Sequence, residues 1–179
     1  MISIIICSRE SDIPEGLKNN IRETVGLEYE LIIVDNKQHH QSIFKAYNYG
    51  VDRARYDTLC FLHDDILFHT PKWGEVVLDQ LNYPFVGLIG VAGGVLAPRV
   101  PVQWNFGMHF VHVLQYKKRL GTSKLLEGAS FTINHFSRLF LSTAYLWLAK
   151  KSFLKPSGLT NSPLMVFIVM TKISVYKLT

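Results

Sequence analysis

Apolar and polar positions follow two alternating patterns along the first half of the chain. Short apolar runs rich in β-branched residues predict four buried strands, at 2–6, 30–34, 58–62 and 85–89. Apolar residues three or four positions apart predict the three intervening helices, at 12–25, 42–54 and 70–81. Strands that alternate with helices in this way predict an α/β fold with a mostly parallel sheet and helical crossovers.

The predicted helices carry recognisable end signals. Asp12 is predicted to cap the first helix, with Pro14 at an early helical position and Glu15 completing a capping box. Gly26 is predicted to end that helix, and Ser42 is predicted to cap the second one. The third helix is predicted to begin at 70–71, a Thr-Pro pair.

Polar residues follow each of the first three predicted strands: Ser8 and Arg9, Asp35 and Asn36, then His63, Asp64 and Asp65. Ligands bind at the carboxyl ends of strands in open α/β sheets, so these clusters predict one binding edge. Adjacent carboxylates are costly without a cation, and oxygen ligands suit Mg²⁺ or Mn²⁺, which bridge carboxylates to phosphates. The favoured interpretation is a nucleotide-phosphate pocket. An open alternative is that the two aspartates at 64–65 only cap the following turn.

Several other binding classes lack their sequence signals. A dinucleotide-binding domain needs a glycine-rich turn after the first strand, and Cys7–Glu10 contains no glycine. The chain has no P-loop, and His39, His40 and His63 lack the spacing of a structural zinc site. A phospho-receiver domain needs an acidic pair after the first strand, where this sequence offers only Glu10.

Charge is distributed unevenly along the chain. The 179 residues are 48% hydrophobic and 18% charged with a net charge of +5, which is typical of a globular domain. Residues 1–114 hold 13 acidic and 9 basic residues, a balance of −4, whereas residues 115–179 hold one acidic and ten basic residues, a balance of +9. A basic tail of this kind could contact an anionic membrane surface or nucleic acid.

Cysteine usage and the apolar stretches predict a cytoplasmic location. Cys7 and Cys60 lie in apolar runs and are predicted to be reduced core residues. Met1 leads directly into a strand pattern, so no secretory signal is expected. The longest apolar stretches, Leu139–Ala149 and Leu164–Met170, are too short to span a bilayer.

Five sequence motifs occur in the order and spacing of a known family. They are I-S-I-I-I-C-S-R, Y-E-L-I-I-V-D-N, A-Y-N-Y-G-V-D-R-A-R-Y-D, L-C-F-L-H-D-D-I and I-G-V-A-G-G. Residues 1 to about 113 resemble a GT-A glycosyltransferase of the family 2 type, close to the streptomycin-biosynthesis-type branch. The resemblance implies a Rossmann-like nucleotide-sugar-binding half at 1–113, followed in this family by an acceptor half. Residues 114–179 stand in the place of that second half and are predicted to be an irregular basic tail, an incomplete form of it.

The resemblance also implies roles for individual residues. It places Cys7, Ser8 and Arg9 beside the nucleotide base and gives Asp35 a hydrogen bond to that base. Asp65 matches the last aspartate of the family's D-x-D motif and is the expected ligand of Mn²⁺ or Mg²⁺. The remaining residues implied to bind the nucleotide sugar are Asn36, Asn48, His63 and Asp64. His63 departs from the first aspartate of that motif.

The implied reaction transfers a sugar from a nucleoside diphosphate to a hydroxyl of an acceptor saccharide or glycoconjugate. The implied setting is bacterial polysaccharide or glycoconjugate synthesis, and no nucleic-acid partner is expected. Transfer needs a general base, commonly a carboxylate. No aspartate follows Asp79 and the only glutamate after Glu75 is Glu127, so the catalytic base is unidentified. An alternative is therefore a catalytically incomplete nucleotide-binding module or a decayed glycosyltransferase fragment.

The tail at 114–179 lacks the acidic acceptor-side motifs of this branch. Reading its codons two bases late forces a glycine and an aspartate at the spacing of one such motif. The hypothesis is a frameshift between about residues 107 and 130, which makes the tail an out-of-frame remnant. Other interpretations are an ordinary basic extension, or peripheral membrane association through an amphipathic helix at 139–151.

Overall fold

The computed structural model describes residues 1–37, 42–84, 86–94, 109–111, 113–119, 122–127, 146–154, 168–170 and 175–177. Its first half comprises β1 (Ile2–Ser8), α1 (Glu15–Thr24), β2 (Tyr29–Asp35), α2 (Ile43–Arg53), β3 (Thr58–His63), β4 (Ile66–Phe68), α3 (Trp73–Leu81), β5 (Leu88–Gly90) and β6 (Ala92–Gly94). The later elements are β7 (His109–Val111), β8 (Val113–Arg119), β9 (Thr122–Glu127), β10 (Leu146–Lys150), α4 (Lys151–Leu154), β11 (Ile168–Met170) and β12 (Val175–Lys177).

Six strands form the main sheet, in the order β11–β5–β10–β3–β1–β2. β1 pairs in parallel with β2 and β3, and β5 pairs in parallel with β11. β10 lies antiparallel between β3 and β5, so the other five strands run in one direction. The prediction of an α/β fold with a mostly parallel sheet is confirmed. A second sheet has the order β4–β12–β8–β9, and β6 pairs with β7.

Strand β1 is buried on both faces of the main sheet. Successive strand residues point to opposite faces, and Ile4 packs into one cluster with residues of α1 and α3. Ile5 points the other way and packs with Tyr47 of α2. A Cβ at Gly50 would overlap Ile5 Cγ2, so this glycine allows α2 to approach β1 closely. The sheet therefore lies between α2 on one side and α1 with α3 on the other.

A set of side-chain contacts fixes the short strand β4 against α1. Asn20 Nδ2 donates to Phe68 O at 2.9 Å, and Asn20 Oδ1 accepts from Phe68 N at 2.7 Å. The Phe68 ring stacks on Trp73 with centroids 4.0 Å apart, and the Trp73 indole donates to Thr24 Oγ1 at 3.2 Å. These contacts hold the chain in place directly after the turn that connects β3 to β4.

A buried polar network joins the amino ends of β1 and β2 to the connection before β3. Ser3 is 0% exposed, donates to Glu30 Oε1 at 2.6 Å, and accepts from Tyr56 N at 3.1 Å. Arg55 donates to both oxygens of Glu30, through its backbone N and its Nε, each at 2.7 Å. Burial acts to raise the pKa of Glu30, but the hydrogen bonds from Ser3 and Arg55 outweigh it and lower that pKa.

Predictions at the helix ends had different outcomes. Ser42 caps α2 as predicted, accepting from Lys45 N at 3.4 Å. The predicted Asp12 cap is wrong, because Pro14 is the N-cap residue of α1 and no side chain caps that end. Asp12 instead accepts from Ile13 N at 2.8 Å and pairs with Lys18 at 2.5 Å. The nearby lysine and the adjacent backbone compete successfully for this carboxylate.

The remaining differences concern where elements begin. α3 begins at Trp73, after Lys72 in the left-handed region at φ 54°, and so later than the Thr-Pro pair at 70–71. The fourth predicted strand is observed as β5, shorter than predicted, and Phe85 lies outside the described residues. His39 and His40 also lie outside them.

Part of the tail joins the main sheet. The segment at 146–150, which fell within the amphipathic helix considered above, forms β10, with Leu148 and Ala149 fully buried. The helix interpretation is therefore wrong for these residues. β10 and β11 both lie beyond residue 113, and the division of the chain at that residue stays a prediction. Within the described ranges, no helix has the length and apolar character needed to cross a membrane.

Candidate functional site

Three neighbouring strands end together at the carboxyl edge of the main sheet. Ser8, the last residue of β1, is in register with Asp35, the last residue of β2. On the other side of β1, Cys7 is in register with His63, the last residue of β3. Asn36 continues the pairing, because its backbone N donates to Ser8 O at 2.9 Å. The predicted convergence of these strand ends on one edge is observed.

Asp64 and Asp65 form the two-residue turn between β3 and β4, and both are half-buried. Ser8 Oγ donates to Asp64 Oδ2 at 2.9 Å, which joins β1 to this turn across 56 positions of sequence. The same Oγ accepts from Glu10 N at 3.1 Å. Asp64 therefore directs its carboxylate across the sheet edge to β1, a contact that turn capping does not require.

The tips of β1 and β2 are also joined by an exposed ion pair. Lys37 Nζ lies 2.9 Å from Glu10 Oε2, and Lys37 N donates to Asp35 Oδ1 at 2.9 Å. The hydrogen bond with Glu10, followed by its negative charge, raises the pKa of Lys37. An exposed pair of this kind contributes little to stability. The ion pair does place Lys37 beside the strand tips, and Lys37 was not among the site residues predicted from the sequence.

The negative charge of Asp64 affects two weakly acidic side chains below the edge. Burial, and then the charge of Asp64, raises the pKa of the Cys7 thiol. Burial is the main cause that raises the pKa of Tyr47, and electrostatic interactions with Cys7, Cys60 and Asp64 raise it further. Both groups therefore stay neutral at neutral pH. Tyr47 also packs edge-on against Phe61 at 5.1 Å between ring centroids.

Two of the predicted site residues are not joined to this cluster. Asn48 is exposed on α2, and Arg9 is exposed just beyond the end of β1. None of the hydrogen bonds among the described residues connects either of them to Asp35, Asp64 or Ser8. The cluster itself contains Cys7, Ser8, Asp35, Asn36, His63, Asp64 and Asp65, brought together by strand register and by the β3–β4 turn.

Ser8 is more deeply buried than the other residues of the cluster. It is 2% exposed, and its contact with a nucleotide base, which the resemblance implied, stays a prediction. A sequence signal for this burial existed, because Ser8 continues the alternate positions of Ile2, Ile4 and Ile6, which all lie in one core cluster. The polar character of Ser8 obscured that periodicity.

A protein-family model described as a glycosyltransferase-like family matches residues 3–145. The chain belongs to this family. The match supports a family-2-like glycosyltransferase, and the mostly parallel α/β sheet is consistent with a GT-A Rossmann-like domain. The matched range covers every residue of the site cluster.

Comparison with solved structures gives a similar fold at low sequence identity. The crystal structure of A197 from STIV matches with a TM-score of 0.50 and 12% identity, over 99% of this chain and 85% of that one. A likeness at this identity concerns the fold alone. A search of curated protein sequences finds no match.

A divalent cation at this site stays a prediction, and the residues present can be compared with what such a cation needs. No group of three or more histidine, cysteine or acidic side chains suited to a metal occurs in the part of the chain that the structure describes. Mg²⁺ is commonly held by one or two carboxylates, with the remaining positions filled by water and substrate phosphates. The oxygen donors of Asp64 and Asp65 fit that arrangement. They do not fit a closed site made of protein ligands alone.

Proposed function

We propose that this chain binds a nucleoside-diphosphate sugar at the carboxyl edge of the main sheet and transfers the sugar to an acceptor hydroxyl. The observation that carries the proposal is the convergence of Asp35, Ser8 and Asp64 from three adjacent strand tips. Membership of the glycosyltransferase-like family supports the reaction class. In an open α/β sheet, this is the edge at which ligands bind.

The positions of the residues on the strands indicate which part of the nucleotide sugar each residue would contact. Asp35 and Asn36, at the tip of β2, are proposed to contact the nucleoside, with Cys7 and Arg9 beside its base. Asp64 and His63, at the tip of β3, are proposed to face the diphosphate and the sugar. Asn48 is proposed as a further donor contact on the family pattern alone, because the structure leaves it exposed on α2.

Asp65 is the proposed ligand of Mn²⁺ or Mg²⁺. When bound, such a cation offsets the negative charge that develops on a leaving diphosphate. None of the ion pairs among the described residues involves Asp64, whereas the exposed Lys37 pairs with Glu10 and its charge also interacts with Asp35. The carboxylate of Asp64 is therefore the charge at this edge that a cation could offset. The chain's own contribution is to hold these carboxylates at fixed strand ends.

Thermal unfolding with a panel of nucleoside diphosphates, each with and without Mn²⁺, tests the proposal. A nucleotide at a concentration of about 100 times its Kd should raise Tm by roughly 5–10 °C in the presence of Mn²⁺. Asp65→Ala should remove this rise. Asp52→Ala is the matched control, because it removes an exposed carboxylate from α2, away from the strand tips, and should keep the rise. Absence of a rise with every nucleotide and metal would contradict the proposal.

A second candidate is a nucleotide-binding module that does not complete the transfer. The observation in its favour is that Glu127 is the only acidic residue after Asp79, and it lies at the end of β9 in the second sheet. This candidate predicts nucleotide binding without sugar transfer or donor hydrolysis. Incubation with radiolabelled sugar donors, followed by measurement of released and transferred sugar, distinguishes the two functions.

Finer assignments form part of the same proposal. We propose the streptomycin-biosynthesis-type branch, with an acceptor saccharide or glycoconjugate and a cytoplasmic role in bacterial polysaccharide or glycoconjugate synthesis. The two free cysteines accord with a reducing compartment. Peripheral membrane contact of the basic tail is proposed from its charge alone. The nucleotide sequence of the gene tests the frameshift hypothesis, because stop codons in the shifted frame of the tail would contradict it.

A further inference from the structure

The hydroxyl of Ser8 is fully engaged within the protein. Ser8 is 2% exposed, and its Oγ donates to Asp64 Oδ2 at 2.9 Å while accepting from Glu10 N at 3.1 Å. A serine hydroxyl has one proton to donate, and Asp64 receives it. Ser8 therefore has no donor left for a ligand and almost no surface to present to one.

We propose that Ser8 is a positioning residue that acts on the donor site through Asp64, an inference that rests on the proposed function. The hydrogen bond fixes the rotation of the Asp64 carboxylate by engaging Oδ2, which leaves Oδ1 as the oxygen that meets the donor. The bond joins the central strand β1 to the β3–β4 turn, so it also fixes the turn that carries Asp65. Ser8 thus holds in place both Asp64, proposed to face the diphosphate, and Asp65, proposed to bind the cation, without touching the nucleotide itself.

The effect of the Ser8 hydroxyl on nucleotide affinity can be estimated from what it costs to order the Asp64 carboxylate during binding. Ordering a flexible side chain during binding weakens affinity by a factor of about 3–10 relative to one that is already ordered. Loss of the Ser8 hydroxyl should therefore weaken nucleotide binding moderately. Loss of Asp64 itself should weaken it more.

Ser3 provides a matched control within the same strand. It is equally buried, donates to a carboxylate oxygen of Glu30 at 2.6 Å, and accepts from a backbone N at 3.1 Å. Its partner lies at the opposite edge of the sheet. Ser3→Ala therefore removes the same chemistry from the same strand and should lower Tm without changing the affinity of the folded protein for nucleotide.

The test is calorimetric titration of the full chain with uridine diphosphate in the presence of Mn²⁺. Ser8→Ala should raise the Kd by a factor of about 3–10, and Ser8→Thr, which keeps the hydroxyl, should retain most of the affinity. Combining Ser8→Ala with Asp64→Ala should raise the Kd no further than Asp64→Ala does, because the two residues act as one unit. An unchanged Kd in Ser8→Ala, or additive effects in the double variant, would overturn the positioning role.

Folding defects and failure of the proposed function give different results. If Ser8→Ala does not fold, Ser8→Cys keeps the side-chain size with a weak donor and should weaken binding while Ser8→Thr does not. Equal affinities for these two variants would also overturn the positioning role. If the unsubstituted chain does not bind uridine diphosphate or any other nucleoside diphosphate with Mn²⁺, the proposed function fails first, and the role of Ser8 fails with it.

Discussion

Ser3 and Ser8 make nearly the same hydrogen bonds at opposite edges of one sheet, yet their surroundings differ in charge. At the amino edge, Ser3 donates to Glu30, which also receives two bonds from Arg55. At the carboxyl edge, Ser8 donates to Asp64, and none of the ion pairs among the described residues includes that aspartate. A carboxylate neutralised within the protein stabilises the fold, whereas one without a cationic side chain is suited to a cationic ligand.

The comparison shows why polar strand ends alone do not identify a site. Both edges carry a buried serine and an acidic residue from a neighbouring element. They differ in whether a cation pairs with the carboxylate that the serine binds, because Arg55 pairs with Glu30, whereas Lys37 at the carboxyl edge pairs with Glu10 and not with Asp64. This difference predicts that substitutions at the amino edge change stability and that substitutions at the carboxyl edge change ligand binding.

The largest expected effect on stability follows from Glu30→Ala. The buried Ser3 hydroxyl would lose its acceptor, at an expected loss of about 2–3 kcal/mol in the free energy of unfolding. Arg55 adds little to this figure because its side chain is 71% exposed. Denaturant unfolding measures the loss, and nucleotide affinity should stay unchanged. A loss of affinity in folded Glu30→Ala would contradict the separation of the two edges.

Gly50→Ala perturbs both edges together, because it acts on the middle of β1. The added Cβ would overlap Ile5 Cγ2, and we expect a loss of about 1–2 kcal/mol after the gain in helix propensity. Gly16→Ala in α1 is the control, since a Cβ there meets nothing within 4 Å and should be neutral or stabilising. Unfolding experiments that gave equal stabilities for the two variants would contradict the close approach of α2 to β1.

The pH dependence of stability sharpens the comparison at the amino edge. The folded-state pKa of Glu30 is lowered, so its contribution is present above the unfolded-state value near 4.3 and is lost as the pH falls through the folded-state pKa. Between about pH 5 and pH 3, the unsubstituted chain should lose stability more steeply than Glu30→Gln. Parallel acid-unfolding curves for the two proteins would show that Glu30 is not stabilised in this way.

The smallest expected effect concerns Cys7, which reports the charge of Asp64. Burial is the larger cause of the raised Cys7 pKa and Asp64 the smaller one, so Asp64→Asn should lower that pKa modestly. Alkylation of Cys7 by iodoacetamide at pH 8 should then accelerate by less than about tenfold, as measured by mass spectrometry. Cys60 is fully buried and serves as the unreactive control. An unchanged or slower rate would indicate that Asp64 carries no charge that Cys7 senses.

Local sequence patterns predicted most of the alternating elements in the first half. The β-branched runs at β1, β2 and β3 are strong local signals, and the parallel arrangement follows from the helices between them. β4 was missed because three residues are too few to establish a period. β10 was missed because its position between β3 and β5 depends on pairing with distant strands.

The candidate site was predictable in outline and not in detail. Parallel strands fix which ends share an edge, so the grouping of Asp35, Ser8 and Asp64 could be anticipated. The bond between Ser8 and Asp64 could not, because it depends on side-chain rotation and on a turn 56 positions away. The Asp12 cap failed for a related reason, since Lys18 and Ile13 compete for that carboxylate.

The most direct test of the central claim is paramagnetic broadening of backbone amide signals by Mn²⁺ in the presence of a nucleoside diphosphate. Mn²⁺ bound at the carboxyl edge should broaden the amide signals of Ser8, Asn36 and Asp64 first, while those of Arg55 and Tyr56 persist. Asp65→Ala should abolish the selective broadening. Selective broadening at Arg55 and Tyr56, or none at either edge, would contradict the assignment of the donor site.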